Sequence, residues 1–154
     1  MLADLLQDEL VALGELKDLL LQEYAALKTR DLSTLRRAAD GKRVCANRLQ
    51  RLTDQRRDYL CAQGLSADVA AIKVYISATQ PAERHRLQML WADWEQAAVQ
   101  ARRQNEINGT VIAISRGHVE RALTILQGRD PRDCLYDQNA HTTFGGNHRS
   151  LARA

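Results

Sequence analysis

Few residues of this chain are spaced to do chemistry. His118-Val119-Glu120 matches half of a zinc-deaminase signature, in which a histidine holds the metal and a glutamate moves protons. The other half needs Pro-Cys-x-x-Cys, and Pro131-Arg132-Asp133-Cys134 does not supply it. His118 therefore reads as a satisfied surface or groove histidine. There is no glycine-rich phosphate loop, no histidine pair at metal spacing, no Cys-x-x-Cys and no nucleophile elbow. Inward-facing Glu-x-x-His pairs of the di-iron kind are missing too. A phosphotransfer histidine wants basic and small neighbours on a helix. His118 fits that poorly, and His141 and His148 fall in a polar tail. The expectation is no catalytic, cofactor or metal site, and no enzyme.

The remaining conspicuous side chains have plainer readings. Cys45, Cys61 and Cys134 read as small buried apolar groups or tail bystanders. Trp91 and Trp94 share a helix face, which favours core packing; aromatic anchors of a peptide groove are the other option. Arg36-Arg37 and Arg56-Arg57 offer cations to nucleic acid. Interleaved acids and the lack of base-stacking aromatics favour a solvated or paired face instead.

The elements that must carry these residues are helices. The chain has 154 residues, 45% hydrophobic and 27% charged, which suits one packed domain and argues against wholesale disorder. With 8 glycines, 2 prolines and 5% aromatics it lacks the turn formers of a small all-β domain. Leucine, alanine and arginine dominate, which is helical composition. The formal charge of +3 is too small to name a partner. No apolar run approaches the ~20 residues that cross a bilayer. The opening residues have no basic segment of the signal-peptide kind. An odd cysteine count without close spacing does not fit a secreted disulfide framework. The expected location is the cytoplasm.

A first helix is expected over about 2–28. Leu6, Leu13, Leu20 and Leu27 sit seven apart, with Leu2, Leu10, Leu16 and Tyr24 between them. Thr29-Arg30-Asp31 ends it, and Asp31 can cap a second helix, 31–63, that stops at Gly64. Residues 1–30 carry six acids and three bases, and residues 31–63 carry four acids and eight bases. The short turn makes the two helices antiparallel neighbours, and their flanking charges then attract, adding little at an exposed surface. A short helix at 67–77, capped by Ser66, leads to Pro81 in the first turn of a third long helix, 81–127. At ~1.5 Å per residue that helix is ~70 Å long, so part of it is expected to project or bend, with Gly109 and Gly117 as soft points. Residues 128–154 hold few apolar side chains and form an expected flexible tail. The fold class is thus all-α: an antiparallel hairpin plus a long third helix, an elongated, coiled-coil-like up-down bundle over 1–127.

One feature resists a bland account. Gln104, Asn105 and Asn108 stand where the apolar strip of the third helix should continue, with Ser115 further on. Buried amides without partners are costly. Either this part is exposed, or the amides bond across a helix interface. An exposed apolar strip dotted with amides would suit a partner helix.

Several stretches together resemble the FlgN family of flagellar type III export chaperones. They are the opening 16–27, Leu16-Lys17-Asp18-Leu19 through Ala25-Ala26-Leu27, followed by Asp31-Leu32-Ser33-Thr34-Leu35 and Lys42; then Asn105-Glu106-Ile107-Asn108-Gly109-Thr110-Val111-Ile112; then 122–128 and Leu135-Tyr136-Asp137. The likeness covers most of the chain in the right order. The Asn-Gly element and the Leu-Tyr pair are its more specific parts.

The resemblance implies a cytoplasmic chaperone with no cofactor and no reaction. It implies binding of hook–filament junction proteins, protection of their helical termini from self-association, and delivery to the membrane export gate. The export ATPase is a further candidate partner. The family's use of its C-terminal portion for cargo makes Asn108, Ile112, Val119, Leu123, Leu126 and Tyr136 the candidate contacts, with Tyr136 also the candidate for gate docking. Ordinary core packing is the competing reading for Ile112, Leu123 and Leu126. The alternative function is a nucleic-acid-binding or adaptor bundle using the basic second helix.

Overall fold

The computed structural model describes residues 2–66 and 68–127. The readings placed on 128–154, Tyr136 and Cys134 among them, lie outside the described residues. All described elements are helices: α1 (Leu2–Thr29), α2 (Leu32–Ala62), α3 (Val69–Ala78) and α4 (Pro81–Leu126). The described residues fall into two units, divided between residues 113 and 114.

Local chemistry sets the helix ends. Asp31 accepts from the backbone N–H groups of Ser33 and Thr34 at 3.0 and 3.1 Å, which satisfies free donors of the first turn of α2. Arg30, just before it, takes φ +57°, a left-handed conformation that glycine adopts more cheaply. Gly64 takes φ +77° and lets the chain leave α2 past its cap at Gln63. Pro81 opens α4, where its missing N–H costs nothing. Asp68, not Ser66, caps α3. Its carboxylate accepts from Ala71 N at 2.8 Å, and the Ser66 hydroxyl donates to the same oxygen. A carboxylate is the stronger acceptor, so the serine becomes its support. α4 remains helical through Gly109 and Gly117.

Unit 1 is an up-down-up bundle. Partners run in opposite order along α1 and α2: Glu9 with Arg56, Glu15 with Arg48, Glu23 with Lys42. They run in the same order along α1 and α4: Lys17 with Gln100, then Leu20 with Asn108. The hairpin is therefore antiparallel, and α4 lies parallel to α1. One core gathers Leu2, Ala3 and Leu6 with Leu60, with Ala71, Ile72 and Ile76 of α3, and with Leu87 and Trp91. A second gathers Leu13, Leu20 and Ala101, flanked by Leu16, Leu49, Trp94, Ala97 and Ala98. The shift from large residues to alanines along α4 thins the second core. In unit 2 the described residues continue α4 through Ile114–Leu126, with every large apolar side chain exposed.

Candidate functional site

Two polar layers cross the bundle of unit 1. In the first, Arg56 Nε donates to Glu9 Oε1 at 2.9 Å, and the glutamate is fully buried. The guanidinium lies 5.8 Å from the Trp91 ring centre and 5.2 Å from that of Trp94. The two indoles stack with centres 4.8 Å apart. The tryptophans thus serve the core and shield a cation whose planar face suits them. Glu9 Oε2 and both indole N–H groups find no partner among the described residues.

The second layer joins all three long helices. Lys42 Nζ meets both carboxylate oxygens of Glu23 at 2.7 Å. Asn108 Nδ2 donates to Glu23 Oε2 and to the Leu20 carbonyl, each at 2.8 Å. Gln104 Nε2 donates to Asn108 Oδ1 at 2.9 Å. Asn108 therefore bonds across a helix interface, the second of the two options the sequence left open, and Gln104 supports it from within α4. Asn105 is exposed instead.

Beside this layer the alanines of α4 leave an apolar groove of about 390 Å³, bordered by Leu16, Leu20, Ala46, Ala98, Ala101 and the cations Lys42 and Arg102. Elsewhere in the unit, Tyr59 and Tyr75 share a 2.8 Å hydroxyl bond between α2 and α3. That bond, then burial, pushes the Tyr75 phenol up to about 12. Cys45 donates its thiol to the Ala12 carbonyl at 3.1 Å, and burial pushes its pKa upward. Cys61, read as buried from sequence, is exposed. Among the described residues no three His, Cys, Asp or Glu side chains group to hold a metal ion. No helix of the described residues is long and apolar enough to cross a membrane.

The candidate contact residues divide. Asn108 is 1% exposed and its amide is committed inside the bundle. Ile112, in the same unit, is 44% exposed. In unit 2, Val119, Leu123 and Leu126 are 60%, 51% and 82% exposed, so core packing does not account for them among the described residues. Their steps of four and three place them on one side of the helix. His118 is exposed beside them and lies 3.2 Å from an Arg121 nitrogen. Tyr136 lies outside the described residues.

Sequence reasoning missed Glu9, Glu23 and Arg56. The signal was present. Steps of three and four from Leu2 through Leu6, Leu13, Leu16 and Leu20 pass through positions 9 and 23. Leu10 and Tyr24, expected in the strip, are only half-buried, and the two glutamates take the inner places. The attraction between the hairpin helices is correspondingly not a surface effect. Glu9 and Glu23 are both buried, whereas Glu15 and Arg48 form the exposed pair.

The fold and surface define an all-α bundle with an apolar helix end left uncovered among its described residues. The profile of the FlgN protein family matches residues 1–143, and the chain belongs to that family. A solved structure from Pseudomonas aeruginosa, described as a candidate flagella synthesis protein FlgN, is similar in fold with a TM-score of 0.64. The two are 22% identical, over 71% of this chain and 84% of that one. No curated protein sequence matches significantly.

Proposed function

We propose that this chain is a cytoplasmic export chaperone of the flagellum. It binds hook–filament junction proteins, keeps their helical termini from associating early, and delivers them to the membrane export gate. Family membership and the printed description of the Pseudomonas aeruginosa structure support the flagellar assignment. The observation that carries the binding role is the exposed row Val119, Leu123 and Leu126 on α4. Exposed apolar residues in a row, on a helix, fit an amphipathic partner. Ile112 is a further candidate in unit 1, and Tyr136 is the proposed docking residue for the gate. Ordering a cargo helix on this surface costs entropy and holds net affinity down, which suits a partner that must later let go.

The nucleic-acid reading has less support. Of the eight bases in α2, Lys42, Arg43, Arg48, Arg56 and Arg57 already face a carboxylate. Few cations remain to release counterions from a phosphate backbone.

The test is co-purification of the full chain with purified junction proteins of the same organism. Tight binding is expected, with weak binding to nonspecific DNA. Tyr136→Ala is expected to lose delivery or binding while the melting temperature stays within about a degree, the usual range for residues outside a core. Steep salt-dependent DNA binding with no retained junction protein would reverse the assignment.

A further inference from the structure

We propose that the 114–126 end of α4 lies between two helices of its partner at once, as the third member of a helical trio. This rests on the reading that this helix end is the cargo surface. At about 100° per residue, Ile114 and Ile125 mark one edge of an apolar face, and Val119, Leu123 and Leu126 mark the other. Ser115, His118 and Ala122 lie between the edges. The face thus covers about half the helix circumference. All five large residues are more than half exposed. The other half of the circumference carries Arg116, Gly117, Glu120, Arg121 and Thr124, where Arg116 donates to Glu120 at 2.7 Å.

A seam against one helix is narrow, two adjacent rows of side chains. A single partner helix laid on Val119, Leu123 and Leu126 would leave Ile114 and Ile125 in water. The chain supplies its own scale for the comparison. Past its first two turns α1 lies between α2 and α4, and there its buried residues Ala12, Leu13, Leu20, Glu23 and Ala26 span an arc of about 140°. A second copy of this chain in a two-fold contact would supply one such helix end and cover half the face. The width therefore selects a partner that offers a pair of helices.

The experiment uses two edge variants of the full chain, Ile114→Glu with Ile125→Glu, and Val119→Glu with Leu123→Glu. Each is titrated calorimetrically with a purified junction protein, with helicity checked by circular dichroism. Each variant is expected to bind at least about 100-fold more weakly, because each edge loses burial of two aliphatic side chains. Wild-type affinity in one edge variant would mean a single partner helix and would overturn the two-helix contact alone. Wild-type affinity in both, or no binding by the unaltered chain, would overturn the cargo reading itself. Sedimentation of the free chain as a dimer that either variant dissociates would assign the face to a second copy and also overturn the proposal.

Discussion

Glu9 of α1 and Arg56 of α2 form an ion pair with 0% and 7% side-chain exposure and a nitrogen–oxygen distance of 2.9 Å. They are 47 residues apart in the chain. Fourteen residues further along α1, Glu23 repeats the arrangement with Lys42. The spacing is two heptads on both helices. A slip of the hairpin by one heptad would break both pairs and leave charges in the core, so the layers define the register in which α2 lies on α1.

Removing one member of the first pair leaves the other buried and uncompensated. Arg56→Ala is expected to cost about 3–5 kcal/mol. The double change Glu9→Leu with Arg56→Met is expected to be neutral or stabilising, because neither charge then has to be desolvated. Urea unfolding followed by tryptophan emission measures both, since Trp91 and Trp94 lie against the guanidinium. A cost for the double variant as large as that of Arg56→Ala would show that packing, not charge, governs the site.

Asn108 ties α4 to α1 through two hydrogen bonds and receives a third from Gln104. Asn108→Ala is expected to cost about 1–3 kcal/mol, the range for leaving buried polar groups unpaired. Binding of a junction protein to the folded chain should be unchanged, because the residue presents no surface. A loss of binding at full stability would place Asn108 in the contact after all.

The Asp31 carboxyl is held down to about 2 by hydrogen bonds from Thr34, then from Ser33. A carboxyl lowered in the folded state contributes stability above its unfolded value and loses it as pH falls through the folded value. The loss therefore falls between about pH 4 and pH 2. Asp31→Asn keeps an accepting oxygen but removes the titration, so this part of the acid limb should flatten in a plot of melting temperature against pH. Asp31→Ala should lower the melting temperature by about 2–4 °C at neutral pH.

Glycines in α4 and α2 should respond differently. A Cβ at Gly109 or Gly117 meets nothing within 4 Å, so alanine there is expected to stabilise by about 0.5–1 kcal/mol. At Gly41 a Cβ would come within 2.7 Å of Leu19 Cδ2. Gly41→Ala must turn the leucine, at about 0.5–1.5 kcal/mol, and should show no net gain. Thermal unfolding of the three variants separates the cases.

Much of the local architecture was legible in the residues alone. The 3.6-residue period, the Asp31 cap, the Gly64 exit and the Pro81 start all act between near neighbours in the chain, so a short window of sequence contains their physics. The choice of Asp68 over Ser66 was also local, and acceptor strength settled it. What only the tertiary structure decided was the partner of each inward-facing polar residue. Glu9, Glu23 and Asn108 look like faults in apolar strips until residues 19 to 88 positions away are brought beside them. Which apolar residues of α4 are covered was likewise undecided by pattern. Ala101 and Val119 both suit a helix strip, yet Ala101 is buried in unit 1 and Val119 is exposed in unit 2. Periodicity says which side of a helix is apolar, and only the placement of other helices says whether anything lies against it.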